Sequence, residues 1–123
     1  MNGDSWKTRF VPPNSPMLVD RTNTLTIATT DPETYTVYLS TELSGDFLMT
    51  VLIHELGHCA MYSYGLLDFI RRRVEPRYWI DMEEFICNFL ADYGLRIFKT
   101  AFKTLRYEAW KLIPQSFDGK LTA

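Results

Sequence analysis

His54 and His58 are the two imidazoles of this 123-residue chain, and they fall four apart in VLIHELGHCAMY with Glu55 directly after the first. On an α-helix, residues i and i+4 lie one turn apart on the same face. Two rings so placed can grip a single tetrahedral cation. Glu55 is rotated about 100° from His54, beside such an ion but not on it. A Lewis acid with a carboxylate base next to it is the pairing that hydrolysis of a polar bond needs. The pattern H-E-x-x-H arises by chance on the order of once in a few hundred chains of this length. It therefore carries weight where the surroundings are helical, as they are here. Gly57 sits inside the same run at a cost of ~1 kcal/mol against Ala, which marks a place where another backbone comes close.

A hydrolytic zinc site takes three protein ligands and keeps a fourth position open. The residue six after His58 is Tyr64 and there is no third histidine, so the remaining ligand must be a carboxylate or a thiolate. The downstream segment DMEEFICNFLADYG offers Glu83, Glu84 and Asp92. At helical spacing Glu84 shares a face with Asn88, Ala91 and Leu95, which leaves room around it. Asn88, one turn on, is placed to hydrogen-bond a ligating imidazole. Glu83 shares a face with Cys87 and Leu90, a more core-like set. Glu84 is the preferred ligand, Glu83 stays open as the alternative, and Asp92 is a supporting candidate. Cys59 follows His58 but points about 100° away, so it does not join the same tetrahedron. Of the tyrosines, Tyr78 lies in the connector before the glutamate helix; no oxyanion donor is assigned.

The elements that must hold these residues read as strands first and helices afterwards. WKTRFV alternates loosely and ends at Pro12-Pro13. Thr24 to Thr30 and Thr34 to Ser40 are β-branched and aromatic with period-2 alternation, joined by a turn at Asp31-Pro32-Glu33, so a hairpin is predicted. TYTVYLS fits either an exposed edge, where an extended peptide could pair, or a strand paired on both sides. Ser44 or Asp46 caps a helix through FLMTVLIHELGHCAMYSY, and Gly65 stops it. LLDFIRRRVEPRYW is a connector broken at Pro76. Asp81 caps a second long helix over MEEFICNFLADYGLRIF, and KTAFKTLRYEAWKLI continues helical to Pro114, with a frayed tail beyond it. The order implies an α+β domain over residues 1–123: a small, mostly antiparallel sheet of about three strands against the HExxH helix and a glutamate-bearing helix.

Composition sets the outer bounds. Hydrophobic residues are 46 % and aromatics 15 %, so the chain can bury a core. The net charge of −2 argues against nucleic acid as the main partner. Arg71, Arg72, Arg73 and Arg77 make a local basic run that reads as a solvated connector or a contact for an acidic partner. Lys99, Lys103, Arg106 and Lys111 form the wet face of the last helix, with Phe98, Phe102 and Trp110 docking it. Cys59 and Cys87 lie in apolar helical runs and read as reduced core residues. With no apolar leader segment and no membrane-length stretch, the expected setting is cytoplasmic.

HELGH with the later EEFICNFLADYG resembles the zincin metallopeptidases of the gluzincin type. Within them the likeness is to the small zincin-like proteins of bacteriophages and prophages, and to ImmA/IrrE-type peptidase domains. It covers about Thr24 to Phe98. The resemblance implies a short sheet over an active-site helix, with substrate along an edge strand. By position it implies Zn2+ held by His54, His58 and Glu84, and Glu55 as general base. It also implies peptide-bond hydrolysis by metal-activated water on a protein or peptide substrate. Unlike larger gluzincins, the chain has no further histidine to steady an oxyanion and lacks most of a C-terminal domain. A second expectation is therefore a non-catalytic zinc scaffold acting as an interaction or inhibitor module.

Overall fold

The computed structural model describes residues 1–105. They fall into two units divided between Ala91 and Asp92. The first holds strands β1 (Lys7–Val11), β2 (Ala28–Asp31) and β3 (Thr36–Ser40) and helices α1 (Gly45–Ser63), α2 (Leu66–Arg71) and α3 (Trp79–Phe89). A π-helical turn (Leu90–Gly94) spans the division, and the second unit continues as helix α4 (Leu95–Leu105). The class is α+β, with a three-stranded sheet, as the sequence implies.

The sheet order is β1-β3-β2, and its pairing is mixed. β2 and β3 form the expected hairpin, antiparallel, with Thr30 opposite Val37. The Asp31 carboxylate shapes the turn by accepting from the Glu33 N–H and the Thr34 hydroxyl, both at 2.9 Å. β1 joins the other side of β3 in parallel, Lys7 opposite Thr36 through Val11 opposite Ser40. The chain has to return to the start of the sheet between them, and it does so through a 3-10 turn at Pro16–Leu18 and a loop closed by a Val19–Leu25 bridge. β3 is therefore an interior strand: all five of its residues are buried. The choice left open for TYTVYLS resolves against an exposed edge.

Packing follows from which faces carry apolar groups. On one face of β3, Val37 and Leu39 pack with Ala28, Leu43 and Cys59, and Leu48, Val51, Leu52 and Leu56 of α1 close over them. On the other, Tyr38 packs with Val11 and Leu18. Burying each such side chain stabilises the fold by about 1.5–3 kcal/mol. The opposite side of α1 buries Met61 against Ile70 of α2 and Cys87 of α3, with Leu67, Val74, Trp79 and Ile86 around them. Helix α1 is thus clamped between the sheet and α3, and the HExxH residues sit between its two buried faces. Both cysteines are reduced and buried.

Gly65 stops α1 at φ +70°, in the left-handed region that glycine tolerates best. Two helix boundaries differ from expectation. Asp81 does not cap the glutamate helix. Pro76 starts a 3-10 turn that runs straight into α3 at Trp79, which leaves Asp81 in the first turn, where its charge favours the helix N-terminus. The long helix expected through LADYG widens at Leu90–Gly94, because nothing before Gly94 breaks the helix but one turn takes an extra residue. The predicted helical stretch beyond Leu105, with Arg106, Trp110 and Lys111, lies outside the described residues. None of the described helices is long and apolar enough to cross a membrane.

Candidate metal centre

Gly57 explains how α3 comes so close to α1. A Cβ at this position would meet Cys87 Sγ at 3.1 Å, Cys87 Cβ at 3.4 Å and Leu90 Cδ1 at 3.4 Å. The approach is by side chains and not by the backbone that the sequence suggested, with Cys87 filling the notch that the missing methyl leaves. One turn before Cys87 on α3 are Glu83 and Glu84, so the notch brings both carboxylates up to the histidine face of α1.

Three potential ligand residues converge there. His54 Nε2 and His58 Nε2 are 3.1 Å apart. Glu84 spans them, with Oε2 at 3.1 Å from His54 Nε2 and Oε1 at 3.2 Å from His58 Nε2. His54, His58 and Glu84 each offer a ligand atom within 4.8 Å of the others. Ligands of a tetrahedral zinc bonded at about 2.0–2.2 Å stand about 3.3–3.6 Å apart. The distance between the two nitrogens, and that from each nitrogen to its nearer Glu84 oxygen, are within a few tenths of an ångström of that spacing, so the donor set is compatible in size and chemical type with a small divalent cation.

Glu83 takes a different place. Its Oε2 lies 2.5 Å from His58 Nδ1. A carboxylate accepts, so the proton of Nδ1 is held there and Nε2 is the nitrogen that faces the other donors. This carboxylate–histidine contact orients the His58 ring and raises its basicity. The sequence reading gave the orienting role to Asn88; that side chain is exposed, and the contact with His58 comes from Glu83 because it is the carboxylate nearest the Nδ1 edge. Asp92 falls in the second unit and does not belong to the donor group.

Arg21 is the residue that sequence reasoning missed. Its Nη1 donates to Glu83 Oε1 at 3.1 Å and its Nη2 to Glu84 Oε1 at 3.2 Å. It reaches them from the loop between Val19 and Leu25. Asp20 builds that loop by accepting from the Thr22 N–H at 2.8 Å, the Thr22 hydroxyl at 2.6 Å and the Thr24 N–H at 3.0 Å. No periodicity surrounds Arg21; the turn-forming run DRTN was its only local signal.

Glu55 is buried and turned towards the sheet. Its Oε2 accepts from the Thr30 hydroxyl of β2 at 2.6 Å. It is not among the clustered donors, which agrees with its position a third of a turn away from His54. Tyr78 is exposed, with Arg77 over its ring at 4.7 Å. In the basic connector Arg71 pairs with Asp68 at 3.8 Å and Arg77 with Glu75 at 3.0 Å, while Arg73 lies 3.6 Å over Phe69.

The electrostatics follow from these contacts. Burial opposes the His58 imidazolium, but the Cys87 sulfur, Glu83 and Glu84 outweigh it and push its pKa up to about 12. Hydrogen bonds from His54 and then His58 hold the Glu84 carboxyl well below its usual range, against some desolvation. Glu83 is lowered too: desolvation raises it, and contacts with His58 and Arg21 more than offset that. The cluster thus holds protons between its imidazole nitrogens and its carboxylates. Cys59 is pushed up to about 12 by burial and then by the Glu55 charge, which makes it an unreactive thiol.

No family model matches the chain, and no curated protein does.

Proposed function

We propose that this chain is a small metal-dependent hydrolase of peptide bonds, of the gluzincin kind its HELGH and EEF segments resemble. The observation that carries the reading is the convergence of His54 Nε2, His58 Nε2 and the Glu84 carboxylate within 4.8 Å, with Glu55 next to His54 on the helix that carries both histidines. Two imidazoles and one carboxylate are the donor set of a hydrolytic zinc centre. His54, His58 and Glu84 would hold the ion, which supplies Lewis acidity and makes water more acidic when bound.

The residues then divide the work. Glu83 fixes the His58 ring through Nδ1. Thr30 holds Glu55 Oε2, which leaves Oε1 to take the proton from an attacking water and hand it to the leaving amine. β2 is the sheet edge that Glu55 touches, so an extended substrate is expected beside it and not along the interior β3.

The test is metal analysis of the purified protein together with Glu55→Gln. One equivalent of metal in both proteins, with cleavage of a peptide library by the parent alone, supports the reading. Cleavage by Glu55→Gln at the parent rate overturns the role of the base.

A second reading has its own observation. Glu55 is only 6 % exposed and already satisfied by Thr30, the condition of a structural carboxylate. On that reading the chain is a non-catalytic metal scaffold that acts by binding another protein. A Glu55→Gln protein that retains the biological effect favours the scaffold.

A further inference from the structure

The two adjacent glutamates are not equivalent: their helix faces differ, but that alone does not say which imidazole nitrogen each one meets. Glu83 goes to the outer nitrogen of His58, and Glu84 goes to the inner nitrogens of both rings. The i and i+1 side chains of a helix diverge by about 100°, so helix geometry separates them but does not choose between them. The guanidinium of Arg21 touches one oxygen of each. We propose that Arg21 is a positioning residue that assigns the roles: it holds Glu83 on His58 Nδ1 and Glu84 on the metal-facing side. This rests on the reading of His54, His58 and Glu84 as the ligand set.

Three features support the assignment. The guanidinium is a rigid planar fork whose two terminal nitrogens serve two carboxylates at a fixed spacing, whereas a lysine offers one freely rotating ammonium nitrogen. It is delivered by a loop braced through Asp20, with Asn23 in the left-handed region at φ +63°, so the fork is presented by a shaped turn and not by a loose chain. Its contacts leave free the Glu84 oxygen that faces His54: Nη2 lies on Oε1, while Oε2 faces His54 Nε2. Arg21 thus pins Glu83 by one oxygen with the other on His58 Nδ1, and on Glu84 it shares Oε1 with His58 Nε2 while Oε2 goes to His54.

The experiment is a double-mutant cycle read by Co2+ binding, followed through the visible absorption of the bound ion. In the parent, Glu84→Gln removes a ligand and should weaken Co2+ binding by more than 100-fold. Glu83→Gln removes an orienting contact and should weaken it by about 10-fold. In the Arg21→Met and Arg21→Lys backgrounds the two losses should converge to within about 3-fold, and the Co2+ spectrum should change shape as Glu83 competes for the ion. Equal behaviour of the Lys and Met variants marks geometry as the cause. Unchanged, distinct losses in both backgrounds, or a Lys variant matching the parent, would overturn the assignment. A second readout needs no metal. The His58 Nδ1 proton, shielded by Glu83, should give an observable resonance in the metal-free parent and should exchange away in both Arg21 variants. If the parent binds no Co2+, the ligand set is wrong; persistence of the Nδ1 resonance in the variants is what would refute Arg21.

Discussion

Each imidazole and carboxylate in this cluster has a separate assignment, and substitution should reveal it. Thr30→Val removes the hydroxyl that serves Glu55 and leaves a buried carboxylate short of a donor. It should destabilise the protein by about 1–3 kcal/mol and slow any hydrolysis, while metal content stays at one equivalent; denaturant melts and metal analysis check both. The pH dependence has two limbs. Glu83 and Glu84 are depressed below their ordinary 4.5, so their contribution is present above that pH and is lost as pH falls below it. His58 is raised above its ordinary 6.5, so its contribution is complete below 6.5 and declines as pH rises towards its folded value. The cluster's share of the metal-free protein's stability should therefore be greatest between 4.5 and 6.5. Melts of chelated protein across pH test this, and loading with metal should flatten the alkaline limb by replacing the proton on His58. Legibility at this scale was uneven. His54, Glu55 and His58 could be picked out because helical spacing relates them, and Glu84 was preferred to Glu83 from the roomier neighbours on its own helix face. Arg21 and Thr30 could not, because their contacts cross 62 and 25 positions of sequence and leave no local period.

At the level of elements, the meeting of α1 and α3 decides whether the ligands converge. Gly57→Val would put branched carbons where Cys87 Sγ already stands 3.1 Å from the place a first side-chain carbon would take. The substitution should cost about 1–3 kcal/mol through overpacking and weaken metal binding more than the fold, since α3 must back away with Glu83 and Glu84 attached. Gly57→Ala should be milder, because its gain in helix propensity of ~1 kcal/mol offsets part of the crowding. Thermal melts paired with metal titration separate the two effects. The sequence betrayed Gly57 as a point of close approach but not that a cysteine side chain fills it. It also indicated three strands and the hairpin, yet left the rank of β3 undecided. Thr36 and Ser40 look like solvent-facing positions in an alternating strand, but they are buried because β1 and β2 flank them on both sides. A pattern along one strand does not state how many neighbours that strand has.

For the molecule as a whole, the His54, His58 and Glu84 cluster joins α1 to α3, while Arg21 ties the loop before β2 to the same point. A ligand that binds only the folded state stabilises it by about 2.7 kcal/mol at 100 times its Kd. Chelation should therefore lower Tm by several degrees, and Glu84→Gln should abolish the difference between chelated and loaded protein; calorimetry in the two states checks it. The unfolded chain keeps only the two histidines near one another, four residues apart, whereas the carboxylate lies 26 positions after His58 and the guanidinium 33 positions before His54. Folding alone brings these four side chains to one point, so the donor group belongs to the finished fold and to no single stretch of the chain.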